Sequence, residues 1–134
     1  MEKKRIEVVA AVFKKDNRYF CAQRKDKGEL AKKWEFPGGK IESDETHQQA
    51  LKREIYEELS ADIIVQDYIT TVVHEYQGFI LTMHAYYCDI ITGNLVISEH
   101  LDSKWLMVDE MGNYDFAAAD LPIIERLKSI KNNI

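Results

Sequence analysis

Apolar residues recur along this chain in two rhythms, and each rhythm predicts its own kind of element. The run IEVVAAVF, residues 6–13, is short, β-branched and followed by the turn signal KKDN. It predicts a strand, with RYFCAQR, residues 18–24, as its hairpin partner. Residues 63–76 and 79–91 are two longer β-type runs joined near Gln77 and Gly78, an antiparallel pair, and residues 105–108 make a further short strand. The polar stretch KDKGELAKK reads as a loop. WEFPGG reads as a short extended piece, because Pro37 fixes its own φ and pushes Phe36 towards β geometry. From about Thr46 to Leu59 the rhythm turns helical, with Leu51, Ile55 and Leu59 forming an apolar stripe and Ser43 or Asp44 expected as the cap. Residues 121–130, LPIIERLKSI, form a closing amphipathic helix that tolerates Pro122 in its first turn. Strands on both sides of a central helix, then a last helix, imply an α+β fold: a mixed β-sheet sandwiched between helices, in one domain spanning residues 1–134.

Charge and cysteine usage narrow the function classes. The net charge of -5 argues against a general electrostatic grip on duplex nucleic acid, so no direct nucleic-acid binding is expected. A nucleotide is a different matter, since its phosphates can be met through a cation. Cys21 and Cys88 lie in strand-like runs with no CxxC or Cys/His spacing, which suits buried reduced thiols in a cytoplasmic protein. The opening MEKKRIEVVAAVFKKD lacks the pattern of a signal peptide, and no apolar run approaches the roughly 20 residues needed to cross a bilayer. The expectation is a cytoplasmic protein without membrane contact, monomer or homodimer.

The central helix carries an unusual burden. Glu54 neighbours both Glu57 and Glu58 on its surface, and like charges at such spacing destabilise a helix by roughly 0.2–0.5 kcal/mol per pair. At about 100° per residue the three carboxylates share one arc, roughly 120° from the apolar stripe. The stripe can then dock on the sheet while the carboxylates face a cleft. Hard oxygen ligands grouped this way suit Mg²⁺ or Mn²⁺. Three glutamates alone read more readily as a solvated face, but their surroundings favour a ligand. Gly38 and Gly39 permit close approach of the backbone, and Arg53 is able to hold one carboxylate in place.

These residues resemble the Nudix box: Gly39, five residues, Glu45, seven residues, then Arg53-Glu54-Ile55-Tyr56-Glu57-Glu58-Leu59, with seven spaced positions matched. Ser60 stands where the family has Gly at the helix exit, a departure that touches local geometry and removes no ligand. The resemblance extends through WEFPGGKIE and DFAAADLPII to the MutT-type nucleoside triphosphate pyrophosphohydrolases and their CTP-hydrolysing relatives, over about residues 6–127.

What the resemblance implies is a Mg²⁺-dependent attack of water on a nucleoside triphosphate, giving the monophosphate and pyrophosphate. It implies Glu54, Glu57 and Glu58 as metal ligands, with a backbone carbonyl, that of Gly38. It places Arg53 in the catalytic cluster and leaves Glu54 and Glu99 both open as general base. It assigns Arg24, Glu35, Phe36, Lys40, Tyr76, Leu81 and Asp120 to substrate binding. An ionised Asp120 only accepts hydrogen bonds, so it suits the N4 amine of cytosine or the N1–H and N2–H₂ edge of a guanine. The other reading of Asp120 is a cap for the helix beginning near Leu121. His47, His74, His84 and His100 are expected in structural or surface roles, with His100 within reach of the site beside Glu99. Sanitation of oxidised nucleotides such as 8-oxo-dGTP leads. CTP or modified-dCTP hydrolysis is the alternative, and a catalytically silent nucleotide sensor the third, against which the intact glutamate set argues.

Overall fold

Alternation along the first strand decides the architecture. In the computed structural model, which describes residues 2–132, β1 (Lys4–Lys15) sends Val9, Ala11 and Phe13 into one core and Ala10 and Val12 into another. A strand buried on both faces must lie inside a sheet covered on both sides. The remaining elements are β2 (Arg18–Gln23), β3 (Trp34–Glu35), β4 (Gly38–Lys40), α1 (His47–Leu59), β5 (Asp62–Glu75), β6 (Phe79–Thr92), β7 (Asp102–Leu106) and α2 (Leu121–Asn132), with 3₁₀ turns at Val108–Asn113 and Ala118–Asp120. Among the described residues the sheet has seven strands in the order β3-β2-β1-β6-β5, with β4 on β1 and β7 on β2. It is mixed, because β1 and β6 run parallel while the other pairs are antiparallel. The stripe Leu51, Ile55 and Leu59 packs α1 against one face, and Ile123, Ile124 and Leu127 pack α2 against the other. Among these residues no helix is long and apolar enough to cross a membrane.

The short β1–β2 turn puts Asp16 and Asn17 at φ 53° and 65°, the left-handed pair that a tight hairpin needs. Two expected boundaries move. The cap of α1 is Thr46, not Ser43 or Asp44: its hydroxyl accepts from Gln49 N–H at 3.1 Å, and the Gln49 side chain accepts from Thr46 N–H at 2.9 Å. Asp44 sits at φ 69°, in a turn ahead of the helix, whereas a cap needs the extended backbone that Thr46 has. The last strand runs Asp102–Leu106 rather than 105–108, because its register on β2 begins at Gln23↔Asp102 and ends at Tyr19↔Leu106. Ser60 does occupy the left-handed exit of α1, at φ 55° and ψ 37°, the geometry for which glycine is the unstrained choice.

Cys21 and Cys88 are buried free thiols. The His47 and His84 rings stack at 4.1 Å between the start of α1 and the middle of β6, and His47 Nδ1 meets the Tyr86 hydroxyl at 2.7 Å.

Candidate active site

One cleft of about 800 Å³ opens between α1, β4 and the sheet, and the acidic face of α1 forms part of its wall. Its position follows from two glycines. A Cβ on Gly38 would collide with the Val9 carbonyl across the β1–β4 pair, and one on Gly39 would overlap the Glu54 carboxylate. Backbone therefore approaches the acidic helix as closely as chemistry allows.

Arg53 holds that wall together. Its Nε and Nη2 donate to the two oxygens of Glu45 at 2.7 and 2.9 Å, its Nη1 to Glu54 at 2.8 Å, and its Nη2 also to the Lys40 carbonyl at 2.9 Å. Such a fork fixes both position and orientation. Hydrogen bonding from Arg53 holds the Glu45 carboxyl down to about 2. Arg53 itself lies behind the cleft, not in its lining.

The three box glutamates do not face one way. Glu54 and Glu58 line the cleft, while Glu57 turns to the rim, its side chain 58% exposed and 3.6 Å from Arg53. Among the described residues no three acidic, His or Cys side chains already stand in ligating geometry. Burial pushes the Glu58 carboxyl up to about 8, reinforced by Glu54, Glu35 and Glu99. Neither Glu58 nor Glu99 forms an ion pair among the described residues, so Arg53 and Arg24 leave part of this charge uncompensated. The donor set fits a divalent cation: hard oxygens, clustered carboxylates, and a carboxyl that gives up its proton more readily when a positive partner arrives.

Glu58 keeps a proton in the folded protein up to about 8 and loses it near the ordinary 4.5 when unfolded, so between these values the folded state binds more protons. The Glu58 contribution to the stability of the metal-free protein is therefore expected to be larger at pH 5 than at pH 8. Thermal melts with a chelator present, in wild type and Glu58→Gln, check this: the variant should lose the part of the slope that Glu58 causes.

The opposite wall is apolar and tied. Tyr76 and Leu81 are buried, and the Tyr76 hydroxyl accepts from Ala119 N–H at 2.8 Å, which links the residue just after β5 to the segment bearing Asp120. Asp120 is 4% exposed, and its Oδ1 accepts from Phe36 N–H at 3.0 Å. That bond crosses the chain from the 3₁₀ turn to the end of β3, so Asp120 is not spent on capping α2, and its second oxygen is left to the cleft. Burial and Glu35 push this carboxyl well above the ordinary range, against the pull of Phe36 N–H and Arg24. Arg24 donates to Glu35 at 2.9 Å, and Glu35 also meets His100 Nε2 at 3.0 Å.

Of the residues singled out from sequence, Arg24, Glu35, Phe36, Gly38, Lys40, Glu54, Glu58, Tyr76, Leu81, Glu99 and Asp120 share this one cleft. Glu57 and Arg53 stand outside its lining. Sequence reasoning passed over Lys25 and Lys27, which line it too, although the charge run RKDK was a visible signal. It also passed over Glu29, whose two oxygens accept from Gln77 N–H at 2.7 Å and Gly78 N–H at 2.9 Å and so strap the loop after β2 to the β5–β6 turn. No local pattern announces that contact.

Comparison with known proteins places this geometry. The sequence profile of the NUDIX domain matches residues 8–126. A CTP pyrophosphohydrolase of Escherichia coli is 38% identical over 96% of this chain and 95% of its own length. An 8-oxo-dGTP diphosphatase of Proteus vulgaris is 40% identical over 62% of this chain and 75% of its own. The solution structure of a MutT protein of methicillin-resistant Staphylococcus aureus superposes with a TM-score of 0.76 at 40% identity, over 96% of this chain and 98% of that one.

Proposed function

The chain belongs to the Nudix hydrolase family, and on that footing we propose that it hydrolyses (deoxy)nucleoside triphosphates to the monophosphate and pyrophosphate with Mg²⁺ or Mn²⁺. The observation that carries the reading is the cleft itself, in which Glu54 and Glu58, only the first of them paired with an arginine among the described residues, face an apolar wall ending in Asp120. Glu54, Glu57 and Glu58 would hold the cation, joined by the Gly38 carbonyl, with Glu57 swinging in from the rim. When bound, the cation neutralises charge on the phosphate oxygens and on the leaving pyrophosphate.

The chain's own residues do the rest. Arg53 holds Glu54 and the β4 backbone rigid, so the acidic wall does not collapse outward. Lys25, Lys27 and Lys40, at the cleft lining, offer positive charge to the phosphate chain. Glu99, unpaired and near Glu58, suits the base that takes the proton of the attacking water, and Glu54 is less suited because Arg53 already binds it. Tyr76 and Leu81 pack the base, and Asp120 accepts from its edge.

An acceptor at Asp120 selects bases that present N–H donors. Nucleotide-pool sanitation of 8-oxo-dGTP or related oxidised forms is the leading reading, supported by the likeness to 8-oxo-dGTP diphosphatases. Hydrolysis of CTP or a modified dCTP is the second, supported by nearly full-length likeness to a CTP pyrophosphohydrolase. A panel of canonical and oxidised triphosphates, ADP-ribose and dinucleoside polyphosphates, ranked by kcat/KM, decides. No pyrophosphate from any triphosphate would sink both readings.

Mg²⁺ should raise Tm measurably in the absence of nucleotide, because it binds only the folded cluster and relieves its repulsion. A melting curve indifferent to millimolar Mg²⁺ and Mn²⁺ would contradict a metal site formed by the protein alone.

A further inference from the structure

We propose that Ser98 and His100 are positioning residues that lock the loop between β6 and β7 across the cleft and thereby present Glu99 to the reaction. The proposal rests on the pyrophosphohydrolase reading, which makes Glu99 the catalytic base. The loop has no regular structure of its own, yet it is pinned on both sides of Glu99. Ahead of it, Val96 N–H donates to the Leu59 carbonyl at 3.1 Å and the Ser98 hydroxyl to the Glu58 carbonyl at 2.9 Å. Behind it, His100 Nε2 meets Glu35 Oε2 at 3.0 Å, and Leu101 N–H donates to the Gln23 carbonyl at 2.9 Å. Ser98 thus fastens the loop to the residue that bears one cleft carboxylate, and His100 fastens it to β3.

His100 carries the argument further. Its side chain is 6% exposed, and among the described residues its Nδ1 is the one buried side-chain polar atom without a hydrogen-bond partner. Glu35 takes Nε2 as its hydrogen-bond partner, and Nδ1 is left without one. A bare buried nitrogen is a cost that a purely structural position would avoid by carrying an apolar ring. It is tolerated here because Nε2 must reach Glu35. The two Glu35 oxygens are then both engaged, one by Arg24 and one by His100. His100, Glu35 and Arg24 form a strut across the cleft floor, from the Glu99 loop to the loop after β2. Glu35 is in this account a holder of Arg24 and His100, not itself a ligand of the substrate.

The test compares His100→Phe, His100→Gln and Ser98→Ala with wild type in the full-length protein. Each is assayed with Mg²⁺ and the triphosphate that wild type hydrolyses fastest, and each is followed by amide hydrogen exchange without metal. His100→Phe keeps the ring and removes the bond. It should lower kcat by about 10- to 100-fold with KM within about threefold, since a misplaced base is felt in the transition state. Exchange at the Leu101 amide should rise by about tenfold, as the loop opens locally. His100→Gln, which can still donate to Glu35, should recover kcat to within about fivefold of wild type. Ser98→Ala should act in the same direction, with faster exchange at Val96. A kcat for His100→Phe within about twofold of wild type, or Gln no better than Phe, would overturn the proposal. If wild type itself releases no pyrophosphate, the functional reading fails separately. The exchange measurement still decides the loop: unchanged protection at Leu101 in His100→Phe excludes a positioning role.

Discussion

Glu58→Gln should lower kcat by about 10²-fold or more while leaving the fold intact. Glutamine matches glutamate in shape and keeps one acceptor oxygen, so the half-buried position at the inner side of α1 is preserved. What disappears is the charge that a cation needs most at this point, because Glu54 already shares Arg53 with Glu45. The same change removes a carboxyl that burial, reinforced by repulsion from Glu54, Glu35 and Glu99, holds up to about 8. Metal-free Glu58→Gln should therefore melt no lower than wild type at pH 8, where the native carboxyl is half ionised. Lost activity with retained or improved stability separates a ligand from a structural residue. Activity within about tenfold of wild type would remove Glu58 from the metal set.

Asp120→Asn should change the ranking of substrates rather than activity in general. Asn keeps an acceptor for Phe36 N–H and turns a donor NH₂ towards the cleft, where Asp120 has its second oxygen. A base edge that offers N–H groups then meets another donor. Losing one buried hydrogen bond and leaving its partner unpaired costs about 1–3 kcal/mol, or roughly 5- to 150-fold in kcat/KM for the preferred base. Poorly used triphosphates should change little. The pH dependence carries its own sign. Burial and Glu35 hold the Asp120 carboxyl well up, and an N–H edge favours its ionised form. KM for the preferred base should therefore rise as pH falls, and Asp120→Asn should abolish that rise. A uniform loss across all triphosphates would point instead to the phosphate end of the cleft.

Both substitutions concern residues that the sequence made conspicuous, for different reasons. Glu58 belongs to a helix whose apolar stripe and acidic arc follow from about 100° of turn per residue, a relation among near neighbours. The long β runs are legible on the same ground, and so is the hairpin at Asp16 and Asn17, where the residue types state the backbone they can adopt. The spacing of Gly39, Glu45 and Arg53 is legible too, because they meet one another or Glu54 within a single strand–turn–helix stretch.

Tertiary structure alone decided the rest. Glu57 and Glu58 are adjacent and share one charge, yet Glu58 points inward and Glu57 to the rim, because β4 and the Glu99 loop cover only one side of the helix. Asp120 could cap a helix by sequence, and it bonds Phe36 instead, since folding brings β3 beneath it. The last strand takes its bounds from the register on β2 rather than from its own apolar run. His100 meets Glu35, and Glu29 meets Gln77 and Gly78, across stretches of chain that carry no shared pattern. Local periodicity comes from backbone geometry between neighbours, so it is written in order along the chain. Which distant polar groups meet is set by how the whole sheet and both helices bury their apolar faces and satisfy what they bury, and that requires the fold.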